Sequence, residues 1–312
     1  MTIRQRSFSG ETDLRTMEAL AREFRGDNFH VTDLPYRLSS WALDDPGNVR
    51  LWCDEIGRLL AWIVMEVPHY SLDFACRPEM EAALLPEMLA WADERSRSHL
   101  EMIPLGTPEG KPCWFVNVFA DQPARLRTLE AAGFASQADV GENSWTKVFM
   151  QRPADLPVKE YRIPEGFVVR PLAGEGEVEA YVQLHRETFR SKIMTVDWRK
   201  RTLQHPDYIP DLDLVVAAPD GRLAAFCVCW LESHGSEKIG QIEPLGCHAD
   251  FRHYALGRVA LAEGLRRLRA HDAKKIFVET DNWRNTAFRL YESVGFQVAR
   301  DVLVYRKDYE ND

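Results

Sequence analysis

Residues 240–257 read Gly240-Gln241-Ile242-Glu243-Pro244-Leu245-Gly246-Cys247-His248-Ala249-Asp250-Phe251-Arg252-His253-Tyr254-Ala255-Leu256-Gly257, and the helical run RVALAEGLRRLRAH follows from Arg258. The order is strand, basic turn, helix. Pro244 lacks an N–H and Gly246 has no side chain to pack, so both sit poorly in a continuously paired strand. The strand is therefore expected to part from its neighbour. A gap of that kind exposes backbone groups, and the turn beyond it aims the free N–H groups of a helix start at an anion, with Arg252 and Arg258 adding positive charge. A linear ligand ending in a pyrophosphate would fit.

Working outward, the chain is written twice. Gly57-Arg58-Leu59-Leu60-Ala61-Trp62 follows the strand-like VRLWCDE, and Gly221-Arg222-Leu223-Ala224-Ala225-Phe226 follows LDLVVAAPD. Each reads as a hairpin turn. Downstream, TLEAAGF ends at Gly133-Phe134 and LYESVGF at Gly295-Phe296, so the matched glycines are 76 and 74 positions apart. Periodicity places strands at 3–8, 48–55, 59–66, 71–77 and 113–120 and helices at 11–24, 33–43, 79–98 and 122–132 in the first copy, with further strand to about 150. The second has strands at 167–172, 212–219, 223–232, 238–248, 274–280 and 297–307 and helices at 175–189, 195–205, 252–271 and 285–294. This is a mixed α/β pattern. Pro153, Pro157 and Pro164 mark 151–165 as an extended linker between a domain at 1–150 and one at 166–312.

Composition agrees with two soluble cores. The 312 residues are 45% apolar and 28% charged, with a net charge of −9 that argues against a nucleic-acid or acidic-membrane partner. The start, MTIRQRSFSG, has no apolar signal region and no run approaches a membrane span, so a cytoplasmic location is expected. The six cysteines are scattered without metal-ligand spacing and read as reduced and buried, and no metal is expected.

The turn Arg252-His253-Tyr254-Ala255-Leu256-Gly257 resembles the acetyl-coenzyme A signature, (Arg/Gln)-x-x-Gly-x-(Gly/Ala), of the GNAT superfamily of N-acetyltransferases. The resemblance continues through the strand KKIFVET, the helix opened by Asn285 and the closing LYESVGF, and covers 166–308. It implies two tandem GNAT-like domains, each a mixed, splayed β-sheet flanked by helices, with acetyl-CoA as co-substrate and a small amine as acceptor. Carried over residue by residue, it places acetyl-CoA against Leu245, Gly246, Cys247, the turn 252–257 and Arg258. Asn285 falls at the pantetheine contact, and Tyr291 at the acid that protonates the departing thiolate. A carboxylate on the signature strand often serves as base in the family. Glu243 reads as that base or as a pocket-rim carboxylate, and Gln241 as a positioning group. Ala255 replaces the signature's first glycine and is read as already inside the right-handed helix, where its methyl costs little.

Other residues have plainer readings. His248 has no orienting carboxylate at recognisable spacing and is taken as structural. His185 and Arg186 read as a solvated helix face. In the first copy CRPEMEAALLPEML stands where the second has the basic turn. Pro123 falls at the Asn285 position and Leu129 at that of Tyr291. A GNAT-like fold without GNAT chemistry is expected there, as in tandem GNAT proteins that pair an active with a degenerate half. A non-catalytic acetyl-CoA sensor or protein-interaction module is the alternative function.

Overall fold

The computed structural model describes residues 2–100, 111–139, 146–282 and 285–309. The chain divides into two compact units. Unit 1 is Met1–Val148 with Asp281–Trp283 and Arg300–Asp312, and unit 2 is Phe149–Thr280 with Arg284–Ala299.

The first half supplies β1 (Arg4–Ser7), α1 (Glu11–Glu23), α2 (Leu34–Arg37), β2 (Val49–Cys53), β3 (Leu59–Glu66), β4 (Ser71–Cys76), α3 (Pro78–Ser98), β5 (Cys113–Phe119), α4 (Pro123–Ala131) and β6 (Ala135–Ser136). The second supplies β7 (Thr146–Pro153), β8 (Val168–Pro171), α5 (Val178–Phe189), α6 (Val196–Gln204), β9 (Asp213–Ala217), β10 (Leu223–His234), β11 (Glu237–Cys247), α7 (Leu256–Ala270), β12 (Ala273–Asp281), α8 (Asn285–Ser293) and β13 (Gln297–Asp308). Within unit 1 the strand order is β1-β2-β3-β4-β5-β13, and within unit 2 it is β7-β12-β11-β10-β9-β8.

β13 carries residues 302–308 antiparallel to 119–113 of β5, so the last strand of the chain completes unit 1. The units therefore differ from the division into 1–150, 151–165 and 166–312 at three places: 149–165 go with unit 2, and 281–283 and 300–312 with unit 1. The expected linker is also strand as far as Pro153, and buried Arg152 anchors it by donating to the carbonyls of Val294, Leu156 and Pro157.

In unit 1, β3 is buried along its whole length. Its Trp62 and Val64 pack with Met17, Leu20 and Ala21 of α1, while Leu60, Ile63 and Met65 pack with Leu84, Leu85 and Met88 of α3. Helices on both faces explain why this strand reads as an unbroken apolar run. In unit 2, α5 packs on β10 and β11, and α7 on β9, β10 and β11.

The repeat is visible in matching backbone details. Gly57 and Gly221 both have φ +87°, and each donates to the residue three before it, Asp54 and Ala218. Gly133 (φ +85°) and Gly295 (φ +92°) end α4 and α8 in the same way, with Phe134 donating to Leu129 and Phe296 to Tyr291. Positive φ at these four positions is what selects glycine.

Candidate functional site

The strand pair that should part does so. β11 runs parallel to β12 from Lys238↔Ala273 to Gln241↔Phe277, and the pairing ends there although both strands continue. On its other edge β11 stays paired with β10, but the register slips: Cys229 faces Ile242 and Cys227 faces Leu245, leaving Glu243-Pro244 opposite Val228. The Glu243-Pro244 peptide is cis, and Trp230 Nε1 donates to the Glu243 carbonyl at 2.8 Å. From Ile242 to Cys247, backbone groups that would have joined β12 face an open edge. Gln241 is buried and Glu243 half-buried.

Gly246 is required for packing as much as for the gap. A Cβ there would lie 2.4 Å from Cζ of Phe226, its cross-strand partner, and 2.7 Å from the Thr188 methyl.

After β11 the chain makes a 3-10 turn over Ala249–Tyr254, and α7 begins only at Leu256. The helix expected from residue 252 thus starts one turn late. Ala255 joins the two in the left-handed conformation, φ +56° and ψ +28°, which corrects its placement inside the right-handed helix. The reason is geometric. Ala255 N–H still bonds back to Arg252, while its carbonyl accepts from Arg258 and Val259, so it closes one turn and opens the next. An alanine there costs roughly 1–2 kcal/mol. Ala255→Gly recovers that cost less the greater unfolded-state freedom of glycine, roughly 0.4–1 kcal/mol. The expected outcome is a melting temperature about 2 °C higher with ligand affinity retained. A lower melting temperature in calorimetry contradicts it.

Arg252, His253 and Ala255 are exposed and Leu256 is buried. Phe167 supports the turn, meeting Tyr254 at 5.0 Å and Phe251 at 5.9 Å, and His253 lies 4.0 Å from Tyr254. Arg258 sits 5.6 Å over the Tyr161 ring. Of the first N–H groups of α7, those of Arg258 and Val259 bond back to Ala255, which leaves those of Leu256 and Gly257 without an intrahelical acceptor. That of Gly257 is directed at the half-buried Cys247 thiol, whose proton affinity burial raises and this N–H opposes. The other five cysteines are buried and all six are free. Among the described residues no cluster of three or more His, Cys, Asp or Glu is placed to hold a metal ion.

Tyr291 is buried beneath α8, its ring 5.7 Å from Phe296. Burial pushes its phenol well above the ordinary range, and the negative charge of Glu243 adds to the effect. The phenol therefore holds its proton at neutral pH. Asn285 opens α8 as expected, but its side chain lies outside the described residues.

Two histidines differ from their sequence readings. His185 is buried, with its ring stacked on Phe226 at 5.8 Å, and burial lowers its pKa to about 3. It belongs to the core, not to a solvated face. His248 does have a carboxylate: Glu187 lies 3.1 Å from its Nε2, while its Nδ1 accepts from the Asp250 N–H at 3.2 Å. Both ring nitrogens are engaged, which suits a structural role. Nothing local in the sequence links Glu187 to His248.

Unit 1 repeats this frame with the site altered. Cys76 faces Ala61 as Cys247 faces Ala225, and the next N–H, of Arg77 or His248, returns to Leu60 or Ala224. α3 then starts at Pro78 with no intervening turn, and its first turn carries Glu79 and Glu81. Arg125 of α4 pairs with Glu81 at 2.6 Å. Asp73, opposite Val64, stands at the level of Glu243-Pro244 and is bound by Arg37 at 2.6 Å.

The Acetyltransferase (GNAT) family model matches residues 176–296. The curated relatives include mycothiol acetyltransferases, that of Thermomonospora curvata being 30% identical over 159 residues, 49% of this chain and 52% of the relative. That of Thermobispora bispora is 28% identical over 196 residues, 60% of this chain and 63% of the relative. The chain thus matches between half and two thirds of the length of these relatives. Among solved structures, a GCN5-related N-acetyltransferase from Sphaerobacter thermophilus covers 98% of the chain with 95% of its own length at TM-score 0.64 and 19% identity. A tandem GNAT protein from the clavulanic acid biosynthesis pathway covers 100% of both chains at TM-score 0.66 and 13% identity. The fold is that of tandem GNAT proteins.

Proposed function

We propose that the chain is an acetyl-CoA-dependent N-acetyltransferase acting on the primary amine of a small molecule, with the chemistry in the half containing 166–312. The observation that carries this reading is the splayed β11/β12 edge leading into a turn that presents the start of α7 beside exposed Arg252. A thioester arm laid along the open edge brings its pyrophosphate to residues 252–258. Asn285, at the start of α8, would meet the pantetheine.

The co-substrate supplies an activated acetyl group. Glu243 takes the proton that a primary amine carries at neutral pH, freeing the nucleophilic lone pair. Backbone N–H groups between Leu245 and Cys247 steady the charge that develops on the carbonyl oxygen. Tyr291, protonated in its buried setting, donates to the departing sulfur.

Residues 1–150 contribute a degenerate half. Its acidic α3 start repels a pyrophosphate, Arg125–Glu81 stands where the basic turn would lead, and Arg37 neutralises the carboxylate at the level of Glu243. The reading includes a cytoplasmic location. No helix among the described residues is long and apolar enough to cross a membrane.

Calorimetry of the full chain is expected to give one acetyl-CoA per chain, with affinity lowered about tenfold by Arg252→Glu, as charge reversal beside a pyrophosphate requires. Unchanged affinity in that folded variant rejects the site. The strained Ala255 favours, as a second reading, a sensor that binds acetyl-CoA without turnover. Transfer to any member of an amine library, detected by mass spectrometry, decides for the enzyme, and tight binding without transfer decides for the sensor.

A further inference from the structure

Residues 151–165, read from sequence as a plain linker, belong to unit 2 and run beside the turn 252–258. Two anchors hold them there. Buried Arg152 ties the start of the segment to the carbonyls of Leu156 and Pro157, and just past its end Phe167 meets the rings of Phe251 and Tyr254. Half-buried Tyr161 stands between the anchors. The Arg258 guanidinium of α7 lies 5.6 Å from the centre of its ring, and the Lys159 ammonium lies 5.8 Å from the same point.

Two cations therefore share one aromatic ring. Both side chains are exposed, and among the described residues neither charged end has a hydrogen bond or an ion pair. The carboxylates nearest in sequence do not neutralise them: Glu160 and Glu165 are exposed and bonded to neither, and Asp250 pairs with Arg222 at 3.3 Å. A ring face attracts a cation and so fixes two long, flexible side chains in one place. It does not cancel their charge, and the two like charges repel each other. A bound anion relieves that repulsion.

Position identifies the anion. The adjoining turn is where the proposed function lays the pyrophosphate of acetyl-CoA, and one ribose beyond that pyrophosphate the molecule carries a second phosphate on its 3′ oxygen. That group is a monoester, with a charge of about −1.5 to −2 at neutral pH. We propose that Lys159 and Arg258, held around Tyr161, form a subsite for this 3′-phosphate, so that the chain selects coenzyme A over thioester carriers that lack it. The subsite rests on the proposed function, which puts the pyrophosphate at 252–258. Arg252 then serves the pyrophosphate and Arg258 the 3′-phosphate, and the segment joining the two halves of the sequence supplies part of the co-substrate site.

The test is calorimetry of the full chain with acetyl-CoA and with acetyl-3′-dephospho-CoA, which differ only in that phosphate. The parent protein is expected to bind acetyl-CoA about tenfold more tightly, the effect of two exposed cations on one phosphate. Lys159→Ala truncates an exposed side chain and leaves the core intact. It is expected to cut the preference to about threefold by weakening acetyl-CoA alone. A parent protein that binds both ligands equally well keeps the proposed function and overturns the subsite. An equal loss of both ligands in Lys159→Ala also overturns it, since Lys159 would then only support the turn, and so does a preference that the variant leaves unchanged. Binding of neither ligand rejects the proposed function, and the subsite with it.

Discussion

If the proposed reading holds, Glu243→Gln is expected to lower acetyl transfer by about 10²–10⁴-fold, the usual contribution of a general base, with acetyl-CoA affinity little changed. The glutamine keeps the size and polarity of the side chain but cannot take a proton from the acceptor ammonium. It sits on the half-buried stretch of β11 that no longer pairs with β12, away from the 252–258 turn that would hold the pyrophosphate. The loss should therefore fall on turnover and leave binding intact. The acidic limb of the rate profile, which reports ionisation of the base, should disappear in the variant. Rates followed by thiol release with an active amine, alongside calorimetry, check both parts. A surviving limb at near-normal rate assigns the base elsewhere and leaves Glu243 as a pocket-rim carboxylate.

Glu66→Gln stabilises unit 1 at alkaline pH and has little effect near pH 5. Glu66 is fully buried, and burial together with the Asp73 charge raises its pKa to about 8, against opposition from Arg37 and from Ser40, which donates to it at 3.1 Å. The native state therefore holds a proton that the unfolded chain releases near pH 4.5. Stability falls as pH rises from there through about 8, by an amount on the order of 5 kcal/mol. Asp33 and Asp73 act in the opposite sense. Burial raises their proton affinity, but His30 and Arg37 outweigh it and hold both below the ordinary range. Their contribution is present above the unfolded pKa and is lost in acid. Unit 1 should be most stable between these limits, and Glu66→Gln should flatten the alkaline side, raising the melting temperature there by about 10–20 °C. Parallel melting curves for parent and variant from pH 5 to 9 would show that Glu66 does not titrate in this range.

Sequence alone determined whatever depends on residues near one another along the chain. The paired turns at Gly57 and Gly221 and the paired helix ends at Gly133 and Gly295 were legible because a positive φ selects glycine locally. The alternating and fully apolar strands, the parting of β11 at Pro244 and Gly246, and the replacement of Tyr291 by Leu129 are legible for the same kind of reason. Tertiary structure alone decided the rest. Pairing across more than 180 positions assigns the last strand to the unit built from the first half, and no local pattern records that choice. Burial makes Arg199 the partner of Asp213, His185 a core ring and Glu66 a protonated acid, because desolvation depends on what the rest of the chain packs around a group. Ala255 is the sharpest case: a good helix former is held left-handed because the turn before it and the helix after it leave one residue to reverse the backbone between them.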